Sequence, residues 1–184
     1  MKHNLVNIKE IDPRIALDLR YATTNNISHT ILYPSATCYL HKDTAQALKK
    51  AQDTLAQQGF FLKIFDGYRP LSVQQKMWDL IQDERYVANP AKNKGRHTRG
   101  TAVDVTLIDA TGNELQMPSD FDDFTQRAHR NHQNMSKQAR IHLSILENAM
   151  DHAGFIGWPL EWWHYDLQGW DNDATYPPLD LFLL

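Results

Sequence analysis

The stretch "GRHTRGTAVDVTL", residues 95–107, predicts a loop followed by a strand, and the strand contains one residue that is unfavourable to bury. Val103 and Val105 alternate with small or polar residues, among them Asp104, so the pattern predicts an apolar face and a carboxylate on the opposite face. A buried carboxylate is unfavourable unless a partner compensates its charge. The first candidate partner is His97, which lies in a polar, glycine-flanked loop just before the strand.

The composition is that of an ordinary globular protein. Of 184 residues, 42% are hydrophobic and 22% are charged, which predicts one domain over residues 1–184. The net charge of −3 gives no reason to expect a nucleic acid or an anionic membrane as a partner. Cys38 is the only cysteine, which excludes an intrachain disulfide and a cysteine-based zinc site and favours a buried thiol.

The amino-terminal segment "MKHNLVNIKEID" has no apolar region of the kind found in secretion signals. Elsewhere, no apolar run approaches the ~18 residues that a membrane span needs. Both observations predict a cytoplasmic protein without a membrane partner, and the sequence leaves the oligomeric state open.

Helical and strand-like segments are mixed without a regular alternation, which favours the α+β class. The clearest helix runs from Ser136, a capping residue, to Gly154, because Leu143, Leu146 and Met150 recur at helical spacing. The other predicted elements are a helix over 42–59 capped by Asp43, a helix over 71–87, a strand that leads into a polar turn within 14–26, a strand from 60 that ends at Asp66-Gly67, and a strand-like segment over 160–167.

Two of the nine histidines stand out from the rest. His97 precedes Asp104 in the loop, and His164 lies within the aromatic segment Trp162–Tyr165. Two imidazoles and one carboxylate are a common ligand set for catalytic zinc, with the fourth position left for water. The alternative is that His97 bonds Asp104 directly while His164 bonds a backbone carbonyl, and spacing alone does not decide between the two.

Glu161 and Arg69 favour the metal interpretation. A carboxylate near a ligand histidine could accept a proton from a zinc-activated water, but in a regular strand Glu161 and His164 would face opposite sides. The catalytic hypothesis therefore requires a turn at Glu161, which Pro159 makes plausible. Arg69, at the end of an apolar strand, could stabilise an oxyanion. The alternatives are a surface glutamate and an ordinary ion pair for the arginine.

Several motifs resemble one family when they are taken together. "HTRGTAVD" (97–104), "EWWH" (161–164) and "DGYRP" (66–70) occur in the order found in zinc D-Ala-D-Ala dipeptidases of the VanX type, and "DLRYATTNN" and "PSDFDDF" resemble the same branch. The wider group includes D,D-carboxypeptidases and the Hedgehog amino-terminal fold. The resemblance implies a single α+β domain with a central, mainly antiparallel sheet and flanking helices.

The resemblance also implies roles for individual residues. One zinc ion per chain would be bound by His97, Asp104 and His164. Glu161 would be the general base, and Arg69 would polarise the scissile carbonyl.

For the substrate, the resemblance implies that Asp122 holds the free ammonium group, with Asp123 or Asp120 in that role if the register shifts. Tyr21 would line the cavity, and Asp66 would support the loop that carries Arg69.

The implied activity is zinc-dependent hydrolysis of D-Ala-D-Ala. The alternatives are a D,D-carboxypeptidase that acts on longer cell-wall peptides and a zinc-containing binding protein without catalysis. One position departs from the family pattern, since Gly95 stands where the motif usually has serine. No ligand is changed by this difference, but a hydroxyl near the metal is lost, and with it a hydrogen bond to the substrate or to the loop.

Overall fold

A computed structural model describes residues 4–92 and 94–182 of the chain. The elements follow one another as β1 (Leu5–Asn7), α1 (Ile8–Ile11), β2 (Ala16–Leu17), β3 (Tyr39–His41), α2 (Lys42–Ala56), β4 (Phe60–Asp66), α3 (Leu71–Leu80), β5 (Ala102–Asp109), α4 (Lys137–His152), β6 (Phe155–Gly157) and β7 (His164–Leu167). Short 3₁₀ turns lie at Arg20–Ala22, His97–Arg99 and Gln126–Ala128.

The central sheet has five strands in the order β2-β4-β5-β7-β6. β2 pairs with β4 in parallel, and the other three pairings are antiparallel. β1 and β3 form a separate antiparallel pair. The α+β class and the mainly antiparallel sheet predicted from the sequence are therefore confirmed.

β5 lies in the middle of this sheet and is buried on both faces. Val103, Val105 and Leu107 belong to the hydrophobic core, which also contains the apolar faces of α2 and α4. Because successive side chains in a strand alternate, Asp104 points to the other face, where it lines a cavity. The alternation read from the sequence thus separates the core from the cavity.

Strand register brings three polar residues into one row across the sheet. Asp66 of β4 is paired with Asp104 of β5, and Asp104 is paired with His164 of β7. Residues that are directly opposite on neighbouring strands present their side chains on the same face. The row therefore carries polar groups from three distant parts of the sequence to one place.

The α4 prediction is confirmed in detail. The Ser136 hydroxyl accepts a hydrogen bond from the Ala139 amide at 3.1 Å, and Gly154 follows the helix with a φ of 95°.

The predicted Asp43 cap of α2 is wrong. His41 has the extended backbone of a capping residue, and its Nδ1 accepts from the Asp43 amide at 3.2 Å.

The helix predicted over 71–87 ends earlier than expected, at Leu80. Ile81 has extended backbone angles, and the Asp83 carboxylate accepts a hydrogen bond from the Arg85 amide at 3.0 Å. An aspartate that bonds the amide two residues later stabilises a turn in place of a helix.

Within the described residues, no helix is both long enough and apolar enough to span a bilayer.

Candidate metal centre

Three buried side chains direct nitrogen or oxygen atoms toward one point. Asp104 Oδ1 lies 3.0 Å from His164 Nδ1 and 3.5 Å from His97 Nε2, and the two nitrogens are 3.2 Å apart. Ligands around a tetrahedral zinc ion, with bonds of about 2.0–2.1 Å, are separated by roughly 3.3 Å. The spacing of these three atoms therefore fits a single tetrahedral ion.

The fold explains how the three residues meet. Asp104 and His164 are cross-strand partners, so pairing between β5 and β7 sets their separation. His97 lies in the 3₁₀ turn just before β5, and Gly100 ends that turn with a φ of 68°. A Cβ on Gly100 would lie 2.7 Å from the His41 backbone nitrogen, so only glycine allows the chain to pass there.

Hydrogen bonds on the far side of each imidazole set its tautomer. His97 Nδ1 lies 2.8 Å from the Gly67 carbonyl oxygen, and His164 Nε2 lies 2.9 Å from Asp166 Oδ1. Because each oxygen can only accept, we assign the proton to these nitrogens. The lone pairs of His97 Nε2 and His164 Nδ1 then face Asp104, which is the arrangement that metal-binding histidines require.

The contacts differ from the alternative expected from the sequence. His97 bonds the Gly67 carbonyl through Nδ1 while its Nε2 lies 3.5 Å from Asp104, and His164 contacts Asp104 and Asp166 in place of a backbone carbonyl. Asp166 was missed by the sequence analysis. It lies two residues after His164 in β7, and in a strand this spacing puts both side chains on the same face, which is a signal the sequence contains.

The contacts within the cluster shift the pKa values of its buried groups. Burial by itself lowers the pKa of His164, but Asp166 and Asp104 outweigh it and raise the pKa to about 10, so a metal ion that binds here would displace the proton from Nδ1. Burial works to raise the pKa of Asp104, while His97 and His164 hold it well below its usual range. The two carboxylates thus create a site that attracts a cation.

Glu161 lies beside the cluster, in the turn that joins β6 to β7. The Trp158 amide donates to the His164 carbonyl at 3.0 Å and closes this turn, so the bend that the catalytic hypothesis required at Glu161 is present. Glu161 Oε2 lies 3.9 Å from His164 Nδ1. Burial raises the pKa of Glu161 to about 8, with His164 opposing the shift and Asp104 adding to it.

Arg69 follows β4 and is fixed from two sides. Its Nε and Nη2 donate to Asp66 Oδ2 at 3.0 and 2.6 Å, and its Nη1 donates to Gln74 Oε1 at 2.9 Å. The guanidinium carbon lies 5.1 Å from the centre of the Tyr21 ring. Arg69 therefore forms the ion pair of the alternative interpretation and also lines the cavity. Gln74 was not singled out from the sequence.

Asp122 and Tyr21 form a hydrogen-bonded pair in the lining of the cavity. The Tyr21 hydroxyl donates to Asp122 Oδ1 at 3.0 Å. Burial raises the pKa of Asp122 to about 7, against the hydrogen bond from Tyr21. Of the two other acids considered, Asp123 pairs with Arg127 at 2.8 Å, and Asp120 lines a different groove.

A cavity of about 170 Å³ connects these groups. Its lining includes all seven residues singled out from the sequence: Tyr21, Arg69, His97, Asp104, Asp122, Glu161 and His164. Pockets for drug-sized ligands begin near ~300 Å³, so this cavity suits a smaller molecule with several charged or polar groups.

Gly95 and Arg96 extend the lining at the loop before His97. Gly95 has a φ of 83°, and a Cβ there would lie 3.3 Å from Gln74 Cδ, so the Gln74 amide packs against the bare glycine.

The Arg96 guanidinium lies between two tryptophans, 4.4 Å from the Trp158 ring and 5.0 Å from the Trp170 ring. Its Nε is 3.1 Å from Asp166 Oδ2, behind His164.

The fold and this set of donors define a metallopeptidase. Residues 1–180 match the model of the Peptidase M15 family, described as D-Ala-D-Ala dipeptidase. The chain belongs to that family, which is a metallopeptidase group, and it is therefore an enzyme.

Named relatives cover nearly the whole chain. It is similar to the D-alanyl-D-alanine dipeptidase of Escherichia coli (strain K12), with 37% identity over 175 residues, 95% of this chain and 89% of the relative. It is also similar to the D-alanyl-D-alanine dipeptidase of Enterococcus faecium, with 28% identity over 190 residues and 92% of each chain covered. Among solved structures, a variant of the vancomycin-resistance D,D-pentapeptidase VanY in complex with Zn(II) aligns with a TM-score of 0.48 and 18% identity, over 78% of this chain and 80% of that one.

Proposed function

We propose that the protein hydrolyses the dipeptide D-Ala-D-Ala to two D-alanines, with one zinc ion per chain bound by His97, Asp104 and His164. The observation that carries this proposal is the convergence of three ligand atoms within 4.8 Å of one another, together with the hydrogen bonds that fix both imidazoles. The names of the relatives support the choice of substrate.

A zinc ion held there would supply a Lewis acid and bring the pKa of a water molecule toward ~7. Glu161 then acts as the general base, accepting a proton from the attacking water and returning it to the leaving amine. Its burial beside His164 supports this role. A carboxyl group with a raised pKa is suited to both accepting and donating a proton near neutral pH.

Arg69 stabilises the negative charge that develops on the carbonyl oxygen. Its guanidinium is held by Asp66 and Gln74 before substrate arrives, so little reorganisation is needed when charge appears. Preorganised donors in a site with little water are effective in this role. The ion pair with Asp66 is thus the support that positions Arg69.

Asp122 binds the free ammonium group of the substrate, and Tyr21 orients its carboxylate. An acid in this place favours a peptide with a free amino terminus over a longer or blocked one. This distinction separates the dipeptidase from the alternative of a D,D-carboxypeptidase acting on longer cell-wall peptides.

The test is a D-alanine release assay coupled to metal analysis. We expect about one zinc per chain, hydrolysis of D-Ala-D-Ala that stops with a chelator and returns with added zinc, and much slower cleavage of N-acetyl-D-Ala-D-Ala. Equal rates on the two substrates would support the D,D-carboxypeptidase. A zinc-loaded protein that releases no D-alanine from either substrate would contradict the proposed activity.

We further propose that residues 1–184 form a single peptidase domain whose partner is a small D-amino-acid dipeptide. The cytoplasmic location and the lack of nucleic-acid and membrane partners stay predictions from the sequence.

A further inference from the structure

Arg130 contacts the turn that carries Glu161 and is not part of the cavity lining. Its Nε donates to the Trp158 carbonyl at 2.8 Å, and its Nη2 donates to the His164 carbonyl at 2.9 Å. Trp158 and His164 are the two ends of the turn, so one guanidinium joins both. The Arg130 amide also donates to the Pro159 carbonyl, at 3.1 Å.

The rest of the guanidinium is anchored to stable elements. Arg130 Nη1 donates to Glu147 Oε1 on α4 at 2.9 Å and to the Tyr165 hydroxyl on β7 at 3.0 Å. The guanidinium carbon lies 4.3 Å from the centre of the Tyr165 ring. These contacts tie the turn to a long helix and to the sheet.

The turn has one internal hydrogen bond of ordinary length, from the Trp158 amide to the His164 carbonyl at 3.0 Å, and two longer ones at Glu161. The Glu161 amide donates to the Trp158 carbonyl at 3.3 Å, and the His164 amide donates to the Glu161 carbonyl at 3.3 Å. Both distances lie beyond the usual range for N–H···O bonds. The charge-assisted bonds from Arg130, at 2.8 and 2.9 Å, therefore add a second restraint on the two ends of the turn.

Gly157 provides the space for this contact. A Cβ on Gly157 would lie 2.5 Å from Arg130 Cζ and 2.8 Å from its Nε. The φ of Gly157 is not in the left-handed region, so the backbone there would accept other residues. The glycine is needed because the guanidinium occupies the position of a side chain.

We propose that Arg130 is a positioning residue that holds the 158–164 turn so that the Glu161 carboxylate faces the cavity, and that Gly157 is required to admit it. The proposal rests on the proposed role of Glu161 as the base. The groups proposed to bind substrate, Arg69 and Asp122, lie on other parts of the chain. Loss of the Arg130 contact should therefore lower kcat more than it changes KM.

The test compares Arg130→Ala with Gly157→Ala, which keeps the arginine but displaces it. Small misplacement of a catalytic group can reduce turnover about 10²-fold, so we expect both variants to lose roughly 10- to 100-fold in kcat with KM within about twofold. The double variant should be no worse than either single one. Guanidinium added at millimolar concentration should restore part of the activity of Arg130→Ala and none of that of Gly157→Ala.

The control is Arg140→Ala, which removes an exposed arginine of α4 whose Nη2 donates to the His132 carbonyl. Zinc content and thermal melting identify variants that have lost the fold. Amide hydrogen exchange across residues 158–164 gives a readout independent of activity: it should be faster in Arg130→Ala and Gly157→Ala and unchanged in Arg140→Ala.

Additive losses in the double variant, a kcat within twofold of the parent, or unchanged exchange in the turn would overturn the role of Arg130. Inactivity of the parent protein on D-Ala-D-Ala would contradict the proposed function alone, because the exchange measurement would still decide whether Arg130 holds the turn.

Discussion

Asp104 and His164 are direct neighbours across the β5–β7 ladder, with 3.0 Å between Asp104 Oδ1 and His164 Nδ1. Sixty residues of sequence separate them, yet strand pairing determines their distance. Two of the three candidate ligands are thus fixed by the backbone of the sheet. The third, His97, lies on the adjoining turn, and its ring is held by the Gly67 carbonyl.

Asp166→Asn should weaken zinc binding without removing a ligand. The substitution takes away the negative charge that accepts the His164 Nε2 proton, and loss of such an outer contact typically costs about 10- to 100-fold in metal affinity. Competition with a chromophoric chelator measures the change. Asp171→Asn, an exposed acid just after the strand, is the control and should bind zinc as the parent does. Equal affinity in both variants would mean that Asp166 does not orient His164.

Glu161→Gln should retain zinc and lose turnover. The amide preserves the size of the side chain but cannot accept the proton, and general-base catalysis is commonly worth ~10²–10⁴-fold in rate. Metal analysis and D-alanine release are measured on the same sample. Glu114→Gln, which alters an exposed acid paired with Lys63 at 3.0 Å, should leave the rate unchanged. A Glu161→Gln rate near that of the parent would identify another group as the base.

Asp122 should make substrate binding depend on pH. Because its pKa is raised to about 7, the carboxyl is neutral below that value and carries the charge that binds an ammonium group only above it. The charged or titratable groups that interact with it include Tyr21, Asp104, Arg69 and Glu161. We expect KM for D-Ala-D-Ala to fall as the pH rises from about 6 to about 8. Initial rates across this range measure the effect.

Two variants check the assignment of this pH dependence. Asp122→Asn should raise KM and remove its pH dependence, whereas Asp123→Asn, which breaks the pair with Arg127, should change neither. If KM in Asp122→Asn still falls with rising pH as in the parent, a different group binds the ammonium.

Gly95→Ser should destabilise the protein although it recreates the usual family motif. A non-glycine residue in the left-handed region costs roughly 1–2 kcal/mol, and the new Cβ would also lie 3.3 Å from Gln74 Cδ. Gly112→Ser is a matched control, since Gly112 has a similar φ of 89° and no atom within 4 Å of its Cβ position. Urea unfolding of both variants separates the two costs. A Gly95→Ser variant no less stable than Gly112→Ser would show that Gln74 moves aside freely.

The sequence predicted the parts of this protein that depend on local periodicity. The two-residue alternation of β5 and the helical spacing of α4 directly reflect which faces are buried, and both elements were found as expected. The turn at Glu161 was inferred from chemistry, since a base must face the same side as His164.

Other contacts could not be predicted because they depend on how separate elements pack against one another. Gln74 reaches Arg69 only after α3 folds against the loop that follows β4. Arg130 reaches Trp158 and His164 across 28 and 34 residues. The cap of α2 was mistaken because His41 is an uncommon capping residue, whereas aspartate is a preferred one.

The row formed by Asp66, Asp104 and His164 makes correct strand register a condition for the metal centre. A slip of one residue would turn every β5 side chain to the opposite face. Val103 and Val105 would then point into the cavity, and Asp104 would enter the hydrophobic core. The misfolded chain would be less stable and would bind metal less tightly. Packing of the core valines is therefore coupled to the metal centre, since a β5 strand that buries Val103 and Val105 also directs Asp104 into the cavity.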